Sequence, residues 1–437
     1  MKESNIVSNI ILKIKRIYND SLLKNSIYLM MSNISGLFIG FFFWIVATRY
    51  YMPNDVGIIS AVLSSIFLIS MISSIGLPNA LIFYLPRYAK DANKIINSCL
   101  IASTIISIIL SLIYISKIDI FAPQLKTVFV DMKIIIIFII TTVMMTITSL
   151  MGGMFSAGKR SSFRMIKENI FNISKTIFLV LFAGLGIIGI FISWVLGLII
   201  STTVGFFLLY KLWKYTPMAT FDPIIKKMAS FSIGNYIAGM FYNLPRLAFP
   251  IMILNVVSAE SAGYFFVAMT VANILYGVPL ATSTSFLAES SDKNKFWNNV
   301  EKAIKFNMGL LIPGVLLFTI FGEFALNIFN PIYVNSLNTL IILSITSIPL
   351  SIVTIFCTIE NAQKRIIAPI KINITIAVIT FILSINLVKI WNIEGVAISY
   401  LVANITLAMI IICRMKNPIE FTLRLLNGHK KYGTYIK

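Results

Sequence analysis

Long runs without a charged residue alternate with short polar segments along most of the chain. A helix that crosses the hydrocarbon core of a bilayer, about 30 Å thick, needs roughly 20 apolar residues. The uncharged run 176–210 is too long for one helix and breaks at Gly184-Leu185-Gly186, so we extend it back to residue 167 and divide it into two spans. The pattern predicts twelve transmembrane spans, with these approximate bounds: 25–48, 56–86, 95–116, 134–158, 167–186, 188–210, 228–259, 261–288, 306–322, 324–359, 372–388 and 395–413.

The chain also repeats itself in part, at an offset of 206 residues. The segment 53–57 aligns with 259–263, both ending in glycine, and 187–193 aligns with 393–399. At an offset of 205, three residues match three others: Ala157, Lys159 and Arg160 correspond to Ala362, Lys364 and Arg365. Isoleucine-rich segments align by chance, but a shared offset over several segments favours a true repeat.

The repeat and the even number of spans together predict the fold class. We expect an all-α polytopic membrane protein with twelve transmembrane helices in two six-helix lobes. Such lobes are related by a pseudo-two-fold axis along the membrane normal, with a substrate site between them. The expected domains are an N-lobe at 25–210, a cytoplasmic linker at 211–223 and a C-lobe at 224–413.

The two ends of the chain are more polar. In the segment 1–24, apolar residues such as Val7, Ile10 and Ile14 recur at helical spacing with basic residues between them. This pattern predicts an amphipathic helix on the cytoplasmic membrane surface, and a basic tail without structure is the alternative. The segment 414–437 is a basic cytoplasmic tail.

Composition supports a lipid environment, because 58% of the 437 residues are hydrophobic and only 12% are charged. A soluble globular protein has about 45–50% apolar and roughly 25% charged residues. Lys and Arg number 36 against 16 Asp and Glu, a net charge of +20. In a membrane protein this excess is typical of cytoplasmic loops rather than of nucleic-acid binding.

The basic residues also predict the orientation. If the N-terminus is inside, 29 of the 36 lie in inner segments, including Arg164 and Lys167. Lys175 and Arg246 lie within spans. We therefore expect a multi-pass protein of the cytoplasmic (plasma) membrane with both termini cytoplasmic. The outer segments hold five basic residues: Arg49, Lys117, Lys126, Lys133 and Lys389.

Four stretches carry a resemblance to a known family: Asn25-Ser26, the segment 49–57, Gly76-Leu77-Pro78-Asn79-Ala80 with Arg87, and the segment 393–399. They resemble polysaccharide biosynthesis proteins, the oligosaccharide flippases of the multidrug/oligosaccharidyl-lipid/polysaccharide exporter superfamily. The resemblance implies a two-lobe transporter that alternates between inward and outward states. It also implies that the substrate is an oligosaccharide on a polyprenyl phosphate or pyrophosphate carrier, used for cell-surface polysaccharide or glycoconjugate biosynthesis.

Two other functions stay open at this point. A multidrug/cation antiporter of the same superfamily usually needs an intramembrane carboxylate, and the middles of spans 1, 2, 7 and 8 contain none. A membrane-bound glycan polymerase or ligase is the enzymatic alternative, but the longest outer loop, 117–133, offers only Asp119 and Asp131. We therefore expect a protein that is not an enzyme.

The same reasoning gives the expected partners. The three cysteines form no paired motif, and the single histidine, His429, lies in the tail, so we expect neither a cofactor nor a metal. The expected partners are a lipid-linked glycan, membrane lipids and the glycosyltransferases or polymerase of the same pathway. We expect a monomer that binds no nucleic acid.

Four cations are candidates for binding the phosphate of such a lipid: Arg246, Lys175, Arg87 and Arg49. A basic residue at the middle of a span costs roughly 2.5–3.5 kcal/mol on insertion scales, so Lys175 and Arg246 require a reason to be there. For Arg49 and Arg87, snorkelling to lipid headgroups is the alternative. For Lys175 and Arg246, the alternative is a purely structural role.

Amides within spans could bind sugar hydroxyls, although hydrogen bonds between helices explain each of them as well. The seventh predicted span also carries Gly239, Pro245 and Pro250, which favour a hinge there, or else a static kink. The candidate amides are Asn33, Asn235, Asn243, Asn273 and Asn373.

Overall fold

In the computed structural model of the chain, the described residues are 21–289 and 296–414. Side chains are described for all of these except 21–30, 32–34, 37, 287–289 and 414. The predicted surface helix of segment 1–24 and the basic tail 414–437 therefore lie almost entirely outside the described residues.

The described residues form eleven long α-helices joined by short connections. The described part of the chain also contains two short helices, Leu77–Tyr84 and Ile118–Phe121, and four 3₁₀ turns. These turns are Ala89–Asp91, Pro123–Val130, Ala183–Leu185 and Pro331–Ser336. The long helices are α1 (Ser21–Tyr50), α2 (Pro53–Ser73), α3 (Ala92–Ser116), α4 (Met132–Ala157), α5 (Ser161–Leu181), α6 (Ile187–Trp213), α7 (Ile224–Val256), α8 (Ala259–Glu289), α9 (Phe296–Asn327), α10 (Leu337–Ala362) and α11 (Ile367–Arg414).

Helix α11 is broken at its centre. The backbone leaves helical geometry at Trp391 (φ −120°, ψ 20°) and Asn392 (φ 48°, ψ −131°). A Cβ atom added to Gly395 would overlap the carbonyl oxygen of Leu387. Residues eight apart in a straight helix are separated by about 12 Å, so this contact requires the chain to reverse. The arms 367–390 and 393–414 therefore form a helical hairpin, at the place where the sequence predicts spans eleven and twelve.

Nine helical segments of the described part are long and apolar enough to cross a membrane. The protein is therefore an all-α, multi-pass integral membrane protein, as predicted. These nine segments include the two arms of α11 as a single segment. They do not include α5, which is more polar. In α1, the apolar stretch with described side chains is Phe38–Tyr50. The number twelve and the orientation of the termini stay predictions.

Helix α2 is shorter than the apolar pattern indicates, because the predicted span 56–86 is interrupted after Ser73. Ile75 (φ 45°) and Gly76 (φ 72°) both have left-handed backbone conformations. A Cβ atom on Gly76 would lie 2.8 Å from the Cβ of Tyr236 on α7, a contact that only glycine avoids. The chain thus turns where α7 approaches, and the helix Leu77–Tyr84 follows. A turn inside an uncharged run leaves no mark in the hydrophobic pattern.

Local structure repeats at the offset of 205. Lys159 (φ 53°) and Lys364 (φ 63°) take the left-handed conformation just after α4 and α10. In both places the next residue closes the helix end. The N–H of Arg160 donates to the carbonyl of Phe155 at 3.0 Å, and that of Arg365 donates to the carbonyl of Glu360 at 2.8 Å. This is the six-to-one hydrogen bond of a Schellman motif.

A second local match occurs at the offset of 206. Gly186 (φ 57°, ψ −145°), at the start of α6, and Asn392, at the start of the second arm of α11, share an unusual backbone conformation. The sequence repeat therefore corresponds to a repeat of backbone structure at its turns.

The chain falls into two compact units. The first contains Met1–Val46, Ile66–Phe121 and Lys126–Tyr236, and the second contains Ala47–Ser65, Ala122–Leu125 and Ile237–Lys437. Buried residues of the first unit include Leu81, Ile96 and Phe155. Those of the second include Phe249 and Phe265. The lobes predicted at 25–210 and 224–413 stay a prediction.

Candidate functional site

The first unit contains a cavity of about 450 Å³ between α2, the helix Leu77–Tyr84, α4 and α5. We call it the first-unit cavity. Its wall combines three charged residues of α5 with polar residues of the other elements. The charged residues are Arg164, Lys167 and Glu168, and the polar residues are Ser70, Ser74, Asn79, Thr148, Ser149 and Ser156.

Two adjacent glycines on α4 shape the wall of this cavity. A Cβ atom on Gly153 would overlap the backbone of Pro78, so glycine is needed for the helix Leu77–Tyr84 to approach α4. A Cβ atom on Gly152 would lie 3.8 Å from Nε of Arg164. Arg164 therefore packs beside Gly152 at an ordinary contact distance, and it is Gly153 that the helix crossing requires.

The charges of the cavity lie on one face of α5, because residues three and four apart are neighbours on a helix. Nε of Arg164 donates to Oε1 of Glu168 at 2.9 Å, and both side chains are about one-third exposed. Lys167 is almost fully buried, at 1% exposure, and its Nζ donates to the carbonyl oxygen of Thr148 at 3.3 Å. Among the described residues, no carboxylate lies within ion-pair distance of the Lys167 ammonium.

Lys167 and Lys175 lie eight residues apart on α5, and each lies over a glycine of α6. A Cβ atom on Gly205 would lie 3.4 Å from Cδ of Lys167, and one on Gly197 would lie 2.9 Å from Cβ of Lys175. The close approach of α5 and α6 at Lys175 therefore requires glycine at position 197, whereas the tightest contact at Gly205 is with the sulfur of Met151 on α4.

The ammonium of Lys175 is enclosed by aromatic rings. Its Nζ lies 4.4 Å from the ring centroid of Trp194 and 4.7 Å from those of Phe43 and Phe171. The electron-rich faces of aromatic rings attract cations, by about 0.5–2 kcal/mol for a single ring. Lys175 is 4% exposed and does not line the first-unit cavity. A phosphate could meet this ammonium only if the lysine left its aromatic cage.

Arg246 lies on α7 in the second unit and is half-buried. Its Nη2 donates to Oδ1 of Asn243 at 2.8 Å, and its guanidinium lies 4.7 Å from the ring centroid of Tyr242. The hydroxyls of Tyr276 and Tyr400 are within electrostatic range. Within the described ranges, Arg246 forms no ion pair. We call these five residues the Arg246 cluster.

Of the candidate amides, the structure brings one, Asn243, to a candidate cation. Asn373 is buried, and its Nδ2 donates to the carbonyl oxygen of Ala238 on α7 at 2.9 Å, which is a hydrogen bond between helices. Asn235 is exposed and Asn273 is half-buried. Asn33 lies on α1, outside the described side chains.

The other two candidate cations are exposed and bind protein groups. Arg49 donates from Nη2 to the carbonyl oxygen of Ile328 at 2.8 Å and from Nε at 3.3 Å. Ile328 follows the last residue of α9, where a helix dipole favours a positive charge. The guanidinium of Arg87 lies 3.4 Å from the ring centroid of Phe83.

The predicted hinge residues lie on one uninterrupted helix. Helix α7 runs from Ile224 to Val256 with Pro245 and Pro250 inside it. The border between the two compact units falls within this helix, after Tyr236. Gly239 lies three residues further on, and a Cβ atom there would meet nothing within 4 Å.

Sequence reasoning missed the first-unit cavity, because it assigned Arg164 and Lys167 to an inner loop. The signal was present in the spacing of Arg164, Lys167 and Glu168, which places all three on one helical face. It also missed the tyrosines of the Arg246 cluster. Tyr242 could have been found from its position four residues before Arg246, whereas Tyr276 and Tyr400 are distant in sequence.

These observations define the class of the protein: a multi-pass helical membrane protein with cations and polar side chains inside its helical units. Its fold is that of the transporters of the MOP superfamily. A lipid II flippase, MurJ, in an inward closed conformation matches with a TM-score of 0.74 at 15% identity, over 92% of this chain and 91% of that one. An inward-facing multidrug resistance MATE transporter matches with a TM-score of 0.68 at 12% identity, over 91% and 95% of the two chains.

A third match is a MOP superfamily transporter from Pyrococcus furiosus, with a TM-score of 0.62 at 14% identity over 94% and 96% of the two chains. No curated protein matches the sequence. The family model of polysaccharide biosynthesis proteins matches residues 22–280, more than half of the chain, so the protein belongs to the polysaccharide biosynthesis protein family. The resemblance seen in the sequence is thereby confirmed.

Proposed function

We propose that the protein is a flippase that moves a lipid-linked oligosaccharide across the cytoplasmic membrane. The cargo is a glycan on a polyprenyl phosphate or pyrophosphate carrier, and the mechanism is alternating access by twelve helices in two lobes. The family supports a role in polysaccharide biosynthesis, and the MOP fold supports transport. The observation that carries the proposal is the half-buried guanidinium of Arg246, which has no carboxylate partner among the described residues.

The proposal follows from the cost of moving a phosphate through a membrane. An anion loses its hydration in a region of low dielectric constant and needs a counter-charge there. Arginine suits this task, because its planar guanidinium can donate two parallel hydrogen bonds to phosphate oxygens. Among the described residues, Arg246 interacts with the neutral hydroxyl of Tyr242 and donates to a neutral acceptor, the amide oxygen of Asn243. A phosphate can replace this neutral acceptor without breaking an ion pair.

The proposed hinge is on α7, near the border between the two units. Gly239 has open space around it, and α7 contains Pro245 and Pro250, each of which lacks the N–H of a helical hydrogen bond. The Asn373 amide holds the carbonyl of Ala238, next to Gly239, and so fixes one side of the bend. Bending here would carry the first thirteen residues of α7 with the first unit.

The test replaces Arg246 in cells that lack the native gene. Arg246→Ala is expected to abolish or strongly reduce surface polysaccharide at normal membrane abundance, and Arg246→Lys is expected to restore part of it. Lysine keeps the charge but loses the two-pronged donor geometry. Arg365→Ala is the matched control, because Arg365 lies at an exposed turn beside Glu360 and is expected to leave export unchanged.

Membrane abundance and polysaccharide export are measured in the same cells. Normal export from Arg246→Ala at normal abundance would remove Arg246 from the proposed site. A fall in abundance with unchanged export per molecule would assign Arg246 a structural role only.

A multidrug antiporter is the second candidate, because MATE transporters share the fold over more than 90% of both chains. The two functions differ in the cargo. An antiporter would change the resistance of cells to cationic drugs, and deletion of the gene would leave surface polysaccharide intact. We expect instead that deletion of the gene reduces surface polysaccharide and leaves drug resistance unchanged.

A further inference from the structure

The three charged residues of the first-unit cavity wall, two cations and one carboxylate, leave a net charge of +1. Arg164 and Glu168 form an ion pair with each other at 2.9 Å, so their charges offset. Among the described residues, the Lys167 ammonium donates to the carbonyl oxygen of Thr148 at a long 3.3 Å, and Glu168, which is already paired with Arg164, is near enough to attract its charge. A buried ammonium without an opposite charge of its own is costly, which makes a bound anion a favourable partner.

The rest of the cavity wall suits a ligand rich in hydroxyl groups. Six residues of the wall carry a hydroxyl or an amide: Ser70, Ser74, Asn79, Thr148, Ser149 and Ser156. Some of these hydroxyls donate along their own helices; Ser74, for example, donates to Met71 and Ser156 to Gly152. Their oxygens keep lone pairs that accept hydrogen bonds from a ligand.

The size of the cavity also fits a small ligand. Its volume of about 450 Å³ falls in the range of roughly 300–1,000 Å³ that is typical of small-molecule sites. Phe67, Met71, Ile82 and Met145 supply apolar surface on the same wall. A sugar ring has hydroxyls at its edge and C–H groups on its faces, and it matches this mixture of polar and apolar surface.

We propose that the first-unit cavity binds an acidic sugar, meaning a sugar ring with a single phosphate or carboxylate group. The anionic group binds Lys167 and Arg164, and the ring hydroxyls donate to Glu168 and to the serine and threonine oxygens. When the anion binds Arg164, the Glu168 carboxylate loses that donor and can accept from a sugar hydroxyl in its place. This inference rests on the proposed function only in taking the sugar to be part of the transported glycan.

The test measures binding to the purified full-length protein in detergent by calorimetry. The probes are glucuronate, glucose 1-phosphate, the neutral methyl glucoside and inorganic phosphate. Both acidic sugars are expected to bind at least tenfold more tightly than methyl glucoside, because only they satisfy Lys167. They are also expected to bind more tightly than inorganic phosphate, which has no ring hydroxyls for Glu168.

Variants separate the roles of the charged residues. Lys167→Met keeps the length of the buried side chain and is expected to weaken both acidic sugars at least tenfold. Arg164→Gln, at a partly exposed position, is also expected to weaken the binding of both acidic sugars. It provides the test if Lys167→Met does not fold. Glu168→Gln is expected to weaken the binding of the acidic sugars but to tighten the binding of inorganic phosphate, because it releases Arg164 and removes a negative charge.

The matched control is Glu301→Gln, which breaks the Glu301–Lys305 pair on α9, also four residues apart and 2.8 Å long. It should change none of these affinities. Equal binding of acidic and neutral sugars would overturn the proposal, as would unchanged binding by both Lys167→Met and Arg164→Gln. Inorganic phosphate binding as tightly as glucose 1-phosphate would show an anion site without sugar recognition and would also overturn it.

The experiment also separates this inference from the proposed function. Acidic-sugar binding together with no glycan transport by the unmodified protein would retain the cavity as a binding site and reject the flippase. Arg246-dependent transport without acidic-sugar binding would retain the flippase and reject the cavity site. Binding by the free sugars, without a lipid, would show that the carrier lipid is not needed for recognition.

Discussion

Gly57 and Gly263 lie 206 residues apart, and each contacts the first turn of the other's helix. A Cβ atom on Gly57 would overlap the carbonyl oxygen of Ala259, and one on Gly263 would overlap that of Pro53. Positions 53 and 57 correspond to positions 259 and 263 in the repeat. Reciprocal contacts of this kind arise when two equivalent surfaces meet across a two-fold axis. This contact within the second unit therefore supports the proposed pseudo-two-fold relation between the repeats.

The crossing of α2 and α8 should accept no side chain at either glycine. We predict that Gly57→Val lowers the stability of the protein in detergent by about 1–3 kcal/mol, the usual cost of overpacking. Gly263→Val should do the same because the contact is reciprocal. Thermal unfolding of the purified variants measures the effect.

Gly309 provides the control for this prediction, because it lies within α9 and a Cβ atom there would meet nothing within 4 Å. Gly309→Ala should leave stability unchanged or raise it by about 0.5–1 kcal/mol, since alanine is the better helix former. Equal stability of Gly57→Val and the unmodified protein would show that the crossing is not closed in solution.

A buried polar connection holds three helices of the second unit together. Asn307 on α9 is fully buried; its Nδ2 donates to Ser351 at 3.0 Å, and its Oδ1 accepts from Thr282 at 2.6 Å. Asn307→Ala should destabilise the protein by about 1–3 kcal/mol, because it leaves buried polar partners unsatisfied. Thermal unfolding tests this, and Asn338→Ala, at an exposed position, should have little effect. A similar decrease in unfolding temperature for both variants would argue against a stabilising role of this connection.

The segment after α6 is bound to the start of α3. Oδ1 of Asn97 accepts from the hydroxyl of Tyr215 at 3.1 Å and from the N–H of Met218 at 3.0 Å, and its Nδ2 donates to Thr216 at 2.8 Å. Burial raises the pKa of Tyr215, so its hydroxyl stays protonated and remains a donor at neutral pH. This segment covers most of the linker predicted at 211–223.

Loss of these hydrogen bonds should free the linker. Asn97→Ala is predicted to speed trypsin cleavage after Lys214 several-fold in the purified protein, because proteolysis requires a locally open chain. The fragments are identified by mass spectrometry. Asn386→Ala, which removes an exposed bond within the first arm of α11, is the control and should not change the cleavage rate. Unchanged cleavage of Asn97→Ala would show that other contacts hold the linker.

The distribution of basic residues predicts the topology. Reporter fusions after Lys214 and after Lys437 should both report a cytoplasmic location, and a fusion in the loop 117–133 should report an outside location. An outside signal from either of the first two would contradict an even number of spans in each half.

Hydrophobic patterning was sufficient to predict the helical, multi-pass fold, since the length of an apolar run reflects the thickness of a bilayer. It also placed the connection between spans eleven and twelve at 389–394, and the break at Trp391 and Asn392 lies within that range. It did not predict the turn at Gly76, because a left-handed conformation inside an uncharged run changes no hydrophobicity. The close approach of Tyr236 and Ser232 on α7 explains why glycine is needed there.

The candidate site was harder to predict than the fold. Arg246 and Asn243 were chosen because polar groups inside a span are costly, and the structure places them together. Lys175 was chosen for the same reason. Phe171 could have been found from its position four residues before Lys175, but nothing in the sequence indicates that Phe43 on α1 and Trp194 on α6 also surround the ammonium. The first-unit cavity was missed because its charges begin a helix rather than interrupt an apolar run.

Transport of an intact lipid-linked glycan by the purified protein is the central claim, and reconstitution tests it most directly. The protein is placed in vesicles with fluorescent lipid-linked glycan from the native membranes, and a membrane-impermeant glycosidase measures how much glycan reaches the outer leaflet. We predict a protein-dependent increase in cleavable glycan, no change in glycan length or carrier attachment before enzyme is added, and little activity from Arg246→Ala. Accessibility equal to that of protein-free vesicles would contradict the account, and glycan that is lengthened or released from its carrier would indicate an enzyme instead.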